Sequence, residues 1–428
     1  MKIQGAHIKW GKFKTFIIGV GRAIVLISLV FLISGCGTIV KVAILNTQKA
    51  KAMLGPRDHD YTVSREGHVE YIGDADNRIT VLYVSGTPYE MGYQHGKLLG
   101  IEVRATIDDV IAGAEKFMPA FITKNLSLAE KSVIINAILD KAWKRMEPYT
   151  PIEDLEEMRG LVDGSGVNLA VIHRMHAIPD LGETSCSALI AKDSATANHH
   201  IYQLRILDYG ANFKLWKRPC IIVYRPTNGN AFVNISWVGF VGVVSGMNQK
   251  GVAVSEIGYK NPPGETLAGE PMPFLLKNVL RYADTAEQGG AIIRAAPRTN
   301  SYIYFLGDSS GNAIGLVTSA QNFKSYRANE NQIIYADKKQ LPQFQDVIYA
   351  GHYSADQAKI IEAVHGSISV DVIQEMARKI SMKSNLHTVI YDLTDHKIWV
   401  ANRKENTRAS DRPYVEFSLD SAWTKYSD

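Results

Sequence analysis

At Cys186 the chain changes its pattern, and that change constrains the fold more than any other feature. Before it, apolar residues recur three and four apart; after it they come in short runs broken by turn residues. Ser187 to Ala191, Ile201 to Leu207, Cys220 to Tyr224, Ala231 to Trp237, Val241 to Val244 and Val252 to Ile257 read as successive strands. Turns such as Pro226-Thr227-Asn228-Gly229-Asn230 between them are hairpin signals. The first two strands, joined by the turn Lys192 to His200, form a hairpin that opens on a cysteine and carries Arg205 and Asp208 on its return strand.

Upstream, residues 46 to 78 are polar and mixed, a linker leading into an entry strand, and Ile79 to Val84 is a β run closed by Ser85-Gly86-Thr87-Pro88. A helix follows from Tyr89, with Gly92, Gly96 and Gly100 on one face. Each glycine costs about 1 kcal/mol in a helix interior, so three in register imply that this face packs very closely on a neighbour. His95 lies on the same helix without a second His or Cys at metal spacing and reads as structural. Val103, Ile107, Val110, Ile111, Ala114 and Phe117 continue as a core-facing stripe. Ser127-Leu128-Ala129-Glu130 is a capping box that opens a helix with Val133, Ile134, Ala137, Ile138 and Trp143 on its apolar side, and a third helix spans about Ile152 to Val162, closing at Gly164.

Downstream, helices are predicted over Pro273 to Tyr282 and Ala286 to Ala295, then a strand pair, Tyr302 to Leu306 and Ala313 to Val317. Ser354-Ala355-Asp356-Gln357 is read as another capping box whose helix stops at Gly366; Val370 to Ile380 is helical, and Thr388 to Asp392 with Lys397 to Asn402 closes the chain as a hairpin. Helices, sheet, helices and sheet again predict an α+β fold: two stacked, mostly antiparallel sheets covered on both outer faces by helices.

The net charge of +4 is concentrated in Lys2, Lys9, Lys12, Lys14 and Arg22, before residue 36, where no acid occurs. Subtracting these five from +4 leaves −1, so the body has no electrostatic reason to seek nucleic acid. The basic residues precede the apolar run Ala23 to Ile33 and then Ser34-Gly35-Cys36, the layout of a secretory signal. Ile33-Ser34-Gly35-Cys36 resembles a bacterial lipobox with Cys36 lipidated; Gly37 to Leu45 alternatively extends the run into a transmembrane anchor of about 20 residues. Either reading tethers residues 76–428 to a membrane through a linker at 37–75 and puts them outside the cytoplasm, in a bacterial cell envelope.

The chain has three cysteines, Cys36, Cys186 and Cys220. Cys220 opens a short apolar strand and reads as a buried small hydrophobe, with a Cys186 to Cys220 disulfide as the competing structural reading. A thiol attacks an amide as a thiolate, which needs a histidine, a cationic partner, or the α-amine of an N-terminal cysteine as base. Cys186 begins a strand rather than a helix, which disfavours the papain-like arrangement. Arg205 can stabilise a thiolate and Asp208 can hold an α-ammonium, although strand alternation lets them share a face only if the strand bends or ends near Leu207 to Asp208. The plain alternative is a surface ion pair beside a core cysteine. His199-His200 read as solvated turn residues. No G-x-S-x-G, H-E-x-x-H, phosphate-binding loop or dinucleotide fingerprint occurs, so neither a cofactor nor a metal is implied.

Four ordered landmarks then carry a resemblance. Gly86-Thr87-Pro88-Tyr89-Glu90-Met91-Gly92-Tyr93-Gln94-His95-Gly96, Ser185-Cys186-Ser187, Leu204-Arg205-Ile206-Leu207-Asp208-Tyr209 and Ser245-Gly246-Met247-Asn248-Gln249-Lys250-Gly251 together resemble the penicillin acyltransferase-like (aminopenicillanic acid acyltransferase) family. That family is related to bile salt hydrolases and penicillin V acylases, all N-terminal nucleophile (Ntn) hydrolases. The resemblance implies a four-layer αββα sandwich over residues 76–428. It also implies autoproteolysis between Ser185 and Cys186, giving an α chain 76–185 and a β chain 186–428, and catalysis by Cys186 with Arg205 and Asp208. The expected substrate is a small linear amide whose acyl group passes through a Cys186 thioester to water or an amine. The alternative is a non-catalytic envelope lipoprotein that keeps the fold. Where relatives place oxyanion asparagines this chain has Ser255-Glu256-Ile257-Gly258 and Ile333 to Asp337, which makes Glu256 and Asp337 candidates for the oxyanion or substrate site. Asn248 is a further candidate, though its position favours a tight-turn role. A late arginine has no match; the nearest region, Ser354 to Lys359, offers Asp356.

Overall fold

The computed structural model describes residues 65–116, 126–181, 186–259, 266–330, 335–336 and 339–426. The chain divides into the units Met1–Asp60 and Tyr61–Asp428, and all described residues belong to the second. It begins with the antiparallel pair β1 (His68–Ile72) and β2 (Ile79–Gly86), so the folded body starts inside the stretch read as linker up to residue 75. Four helices follow: α1 (Pro88–Glu115), α2 (Leu128–Met146), α3 (Ile152–Ser165) and α4 (Leu169–Ala177). Thr87 and Glu90 form a capping box that starts α1, and Ser127 with Glu130 does the same for α2. Helix α3 runs one residue past Gly164 and stops where Gly166 turns left-handed.

The glycine face of α1 packs against α3, which has its own glycines in step. A Cβ on Gly92 would lie 2.0 Å from the Glu157 carbonyl oxygen, and one on Gly160 would lie 2.0 Å from that of Tyr89. The two backbones therefore touch directly, and no larger residue fits at either position.

From Cys186 the chain forms β3 (Ser187–Ala191), β4 (Tyr202–Asp208), β5 (Pro219–Pro226), β6 (Phe232–Trp237), β7 (Gly246–Asn248) and β8 (Ala253–Gly258). Helices α5 (Met272–Tyr282) and α6 (Ala286–Ala295) come next, then β9 (Tyr302–Gly307), β10 (Ala313–Thr318), β11 (Phe323–Arg327) and the short pair β12 (Tyr335–Ala336) and β13 (Lys339–Gln340). The chain ends with β14 (Val347–Gly351), α7 (Ser354–Val364), α8 (Val370–Ile380), β15 (Asn385–Asp392), β16 (Lys397–Asn402), β17 (Val415–Ser418) and α9 (Leu419–Thr424).

Among the described residues, one sheet has the order β1-β2-β5-β6-β7-β8-β9-β10-β11 and a second the order β14-β3-β4-β15-β16-β17. Only β2 and β5 pair in parallel. Strands β3 and β4 meet β8 and β9 across the interface between sheets, α1, α5 and α6 pack on the first sheet, and α7 and α8 pack on the second. Helix, sheet, sheet, helix is the α+β sandwich that the strand and helix order predicts.

Two expectations fail here. Ser354 does not cap α7: the N-cap is Tyr353 without a side-chain bond, and Ser354 donates instead to the Gly351 carbonyl at 2.5 Å. Val241 to Val244 is not a strand but part of a buried irregular loop between β6 and β7. Its apolar run suits a sheet interior equally well, and the backbone partners that decide between the two lie far away in sequence.

Candidate active site

Cys186 stands at the head of β3, and its carbonyl accepts a bond from His352 N–H at 3.2 Å, which draws this end of the strand toward β14. Ala188 is directly opposite Arg205 on β4. Directly paired residues project to one side of a sheet, as do residues two apart on a strand, so the register directs Cys186 and Arg205 to the same face. That face is the interface between the two sheets. Both residues are fully buried.

The Arg205 guanidinium is hydrogen-bonded to the Cys186 side chain. It also donates to Glu256 Oε1 at 2.5 Å and to the Ile206 carbonyl at 2.6 Å. Burial works against its charge, but the Cys186 sulfur and the Glu256 carboxylate beside it outweigh burial and hold its pKa above the ordinary value. Burial likewise pushes the Glu256 carboxyl up, and Arg205 offsets this only in part. Glu256 Oε2 has no hydrogen-bond partner among the described residues. Glu256, a candidate for the oxyanion or substrate site from the sequence, is the ion-pair partner of Arg205, on a strand of the opposite sheet.

Asp208 ends β4, on the side where the chain enters at Cys186. The pairing of β4 with β15 slips between Asn385 and His387, a bulge that frees this end of the strand. Asp208 Oδ1 accepts from Met382 N–H at 3.2 Å, while Oδ2 has no hydrogen-bond partner among the described residues. Burial pushes its pKa up to about 7, against the opposing pull of Met382 and Arg205.

Beside Arg205 lies an apolar cavity of about 50 Å³ whose walls include Leu207, Trp237, Phe240, Val244 and Met272, with Glu256 as its charged member. Sequence reasoning missed this cavity because its residues come from both sheets, the helices and the β6–β7 loop, with no common spacing.

Asn248 is not part of this cluster. Its side chain donates to the Leu280 and Ala283 carbonyls and accepts from Lys250 and Val252 N–H, so all its polar capacity secures the β7–β8 turn and the end of α5. Cys220 lies in β5, and no disulfide joins it to Cys186, which removes that alternative. His200 bonds Asp392 at 2.8 Å rather than only solvent. Cys36, Ser185 and Asp337 lie outside the described residues.

No family model matches the chain. It is 27% identical over 411 residues to Protein dcd1A of Dictyostelium discoideum, covering 87% of this chain and 91% of that protein. It is also 27% identical over 352 residues to an uncharacterized protein of Archaeoglobus fulgidus, covering 72% of this chain and 55% of that protein. Among solved structures it is similar to a Caenorhabditis elegans N-acylethanolamine-hydrolyzing acid amidase ortholog, with a TM-score of 0.39, 11% identity, and 49% of this chain and 93% of that chain covered. The conjugated bile acid hydrolase from Clostridium perfringens gives a TM-score of 0.37 at 11% identity, over 55% of this chain and 93% of that chain. Penicillin V acylase from Agrobacterium tumefaciens gives 0.33 at 10%, over 52% and 84%.

Proposed function

We propose that this protein is a self-processing Ntn-type cysteine amidohydrolase or acyltransferase acting on the linear amide of a small acylated molecule. One observation carries the reading: a buried guanidinium, Arg205, is hydrogen-bonded to the side chain of a cysteine that heads a strand. In the processing step the Cys186 sulfur attacks the Ser185 carbonyl, the Ser185–Cys186 C–N bond breaks as its nitrogen gains a proton, and water hydrolyses the resulting thioester. The products are a carboxylate on Ser185 and a free amine on Cys186. That amine takes the thiol proton as the sulfur attacks the substrate carbonyl and passes it to the leaving amine. The acyl group stays on sulfur as a thioester until water or an amine accepts it. Arg205 favours the thiolate, Asp208 holds the ammonium through its unsatisfied oxygen, and the apolar cavity takes the acyl group.

The protein is further proposed to be tethered outside the cytoplasm of a bacterial envelope, by a lipid on Cys36 or by an uncleaved anchor. This rests on the basic residues and apolar run before Cys36. No helix among the described residues is long and apolar enough to cross a membrane, and the run itself lies outside them. A thiol-reactive acyl probe followed by peptide mapping tests the catalytic reading. An adduct on Cys186 is expected; an unlabelled Cys186 in folded protein points to a non-catalytic envelope lipoprotein instead.

A further inference from the structure

The loop from Val238 to Ser245 is irregular and entirely buried, so its backbone polar groups need partners that a neighbouring strand does not supply. Backbone carbonyls take the Val238, Phe240 and Val243 N–H groups, and Asn234, Ser236 and Lys277 donate to the Gly242, Phe240 and Val241 carbonyls; three histidines from three separate elements complete the set. His95 on α1 accepts the Gly239 N–H at 2.9 Å through Nε2. His176 on α4 accepts the Val241 N–H at 3.0 Å through Nε2, and its other nitrogen bonds the Ile172 carbonyl at 2.8 Å. His387 on β15 bonds Ser245 Oγ at 2.8 Å.

Two of these rings also stack on the loop's aromatic wall. His176 lies flat on Phe240, with centroids 4.7 Å apart and planes within 8°, and His387 lies on Trp237 at 5.3 Å and 17°. Trp237, Phe240 and Val244 wall the apolar cavity, and the Val244 carbonyl approaches Arg205 Nε at 3.5 Å. A nitrogen that accepts a backbone N–H carries no proton. Burial, which pushes His95 down to about 3 and His176 to about 4, keeps both rings neutral.

We infer that His95, His176 and His387 are positioning residues: they clamp the 238–245 loop so that Trp237 and Phe240 fix the shape of the acyl cavity and thereby the acyl group it admits. The selectivity part rests on the amidase reading above; the clamp itself does not. Apolar rings at these three sites would fill the same space but leave the Gly239 and Val241 N–H groups buried without an acceptor; the histidines supply that acceptor and a partner for the Ser245 hydroxyl, at the positions that set where the wall stands.

The test compares His176→Phe, which keeps a flat ring on Phe240 but removes the acceptor, with His176→Gln, which restores an acceptor. Two readouts are taken on protein whose melting curve shows it folded. Hydrogen exchange across 238–245, which needs no activity, should quicken at least about a hundredfold in the Phe variant and return toward wild type in the Gln variant, since exchange tracks local opening. The ratio of kcat/KM for acetyl against phenylacetyl p-nitroanilide should move by about tenfold or more in the Phe variant alone, the scale on which an apolar pocket discriminates. Unchanged exchange in the Phe variant overturns the clamp. Quickened exchange with an unchanged substrate ratio overturns its role in selectivity. Wild-type protein that hydrolyses neither anilide sinks the catalytic reading and the selectivity built on it, while the exchange result still decides the clamp. If His176→Phe does not fold, His95→Phe and His95→Gln make the same comparison at Gly239.

Discussion

Arg205 Nη2 and Glu256 Oε1 stand 2.5 Å apart across the interface between the two sheets, with side-chain exposures of 0% and 2%. Removing one member of such a pair leaves an uncompensated buried charge. Glu256→Ala should therefore destabilise the protein by about 3–5 kcal/mol, and Glu256→Gln, which keeps an acceptor oxygen, by clearly less. Urea denaturation reads both. Losses under about 1 kcal/mol in the Ala variant would mean that the pair does not hold the sheets in register.

Asp208 makes stability depend on pH in a definite direction. In the uncleaved chain, which Cys186→Ala preserves and where no ammonium stands beside it, its native pKa of about 7 lies above the ordinary carboxyl value of about 4, so the native state keeps a proton that the unfolded chain has released. Its contribution is complete below about pH 4 and is lost as pH rises to about 7. Burial pushes Asp180 up to about 7 as well, and it acts the same way. Asp208→Asn added to Cys186→Ala removes one of these titrations, so the stability of the double variant should fall less steeply than that of Cys186→Ala alone across this window. Equal slopes in denaturation curves taken pH by pH would contradict the assignment.

The contact of α1 with α3 gives a third prediction. With the Gly92 Cβ position 2.0 Å from a carbonyl oxygen that cannot move alone, Gly92→Ala must push the helices apart. A loss of about 3 kcal/mol or more is expected, at the upper end for overpacking, and Gly160→Ala should match it. A neutral effect at either position, measured by thermal or urea unfolding, would contradict direct backbone contact.

Much of this architecture can be read from the chain because its signals are local. The glycine spacing on α1 announced a close helix contact, and period and turn chemistry placed β3, β8, α6 and α8 within a residue or so. Cys186, Arg205 and Asp208 can be proposed together because one hairpin carries all three. What stayed hidden depends on partners distant in sequence. The Val241 to Val244 run looks like a strand until His176, 65 residues upstream, is seen to take the Val241 N–H and the Pro273 carbonyl the Val243 N–H. The pairing of Glu256 with Arg205 is hidden in the same way, because the two stand on different sheets. Ser354 fits a capping pattern, yet its hydroxyl turns back to Gly351.

Intact mass spectrometry of the purified protein tests the central claim most directly. Wild type should separate on denaturation into two chains, the second beginning at Cys186, while Cys186→Ala should remain a single chain with no amidase activity. A wild-type protein that stays whole yet hydrolyses amides would contradict self-processing at this bond, and a whole protein without activity would contradict the catalytic account altogether.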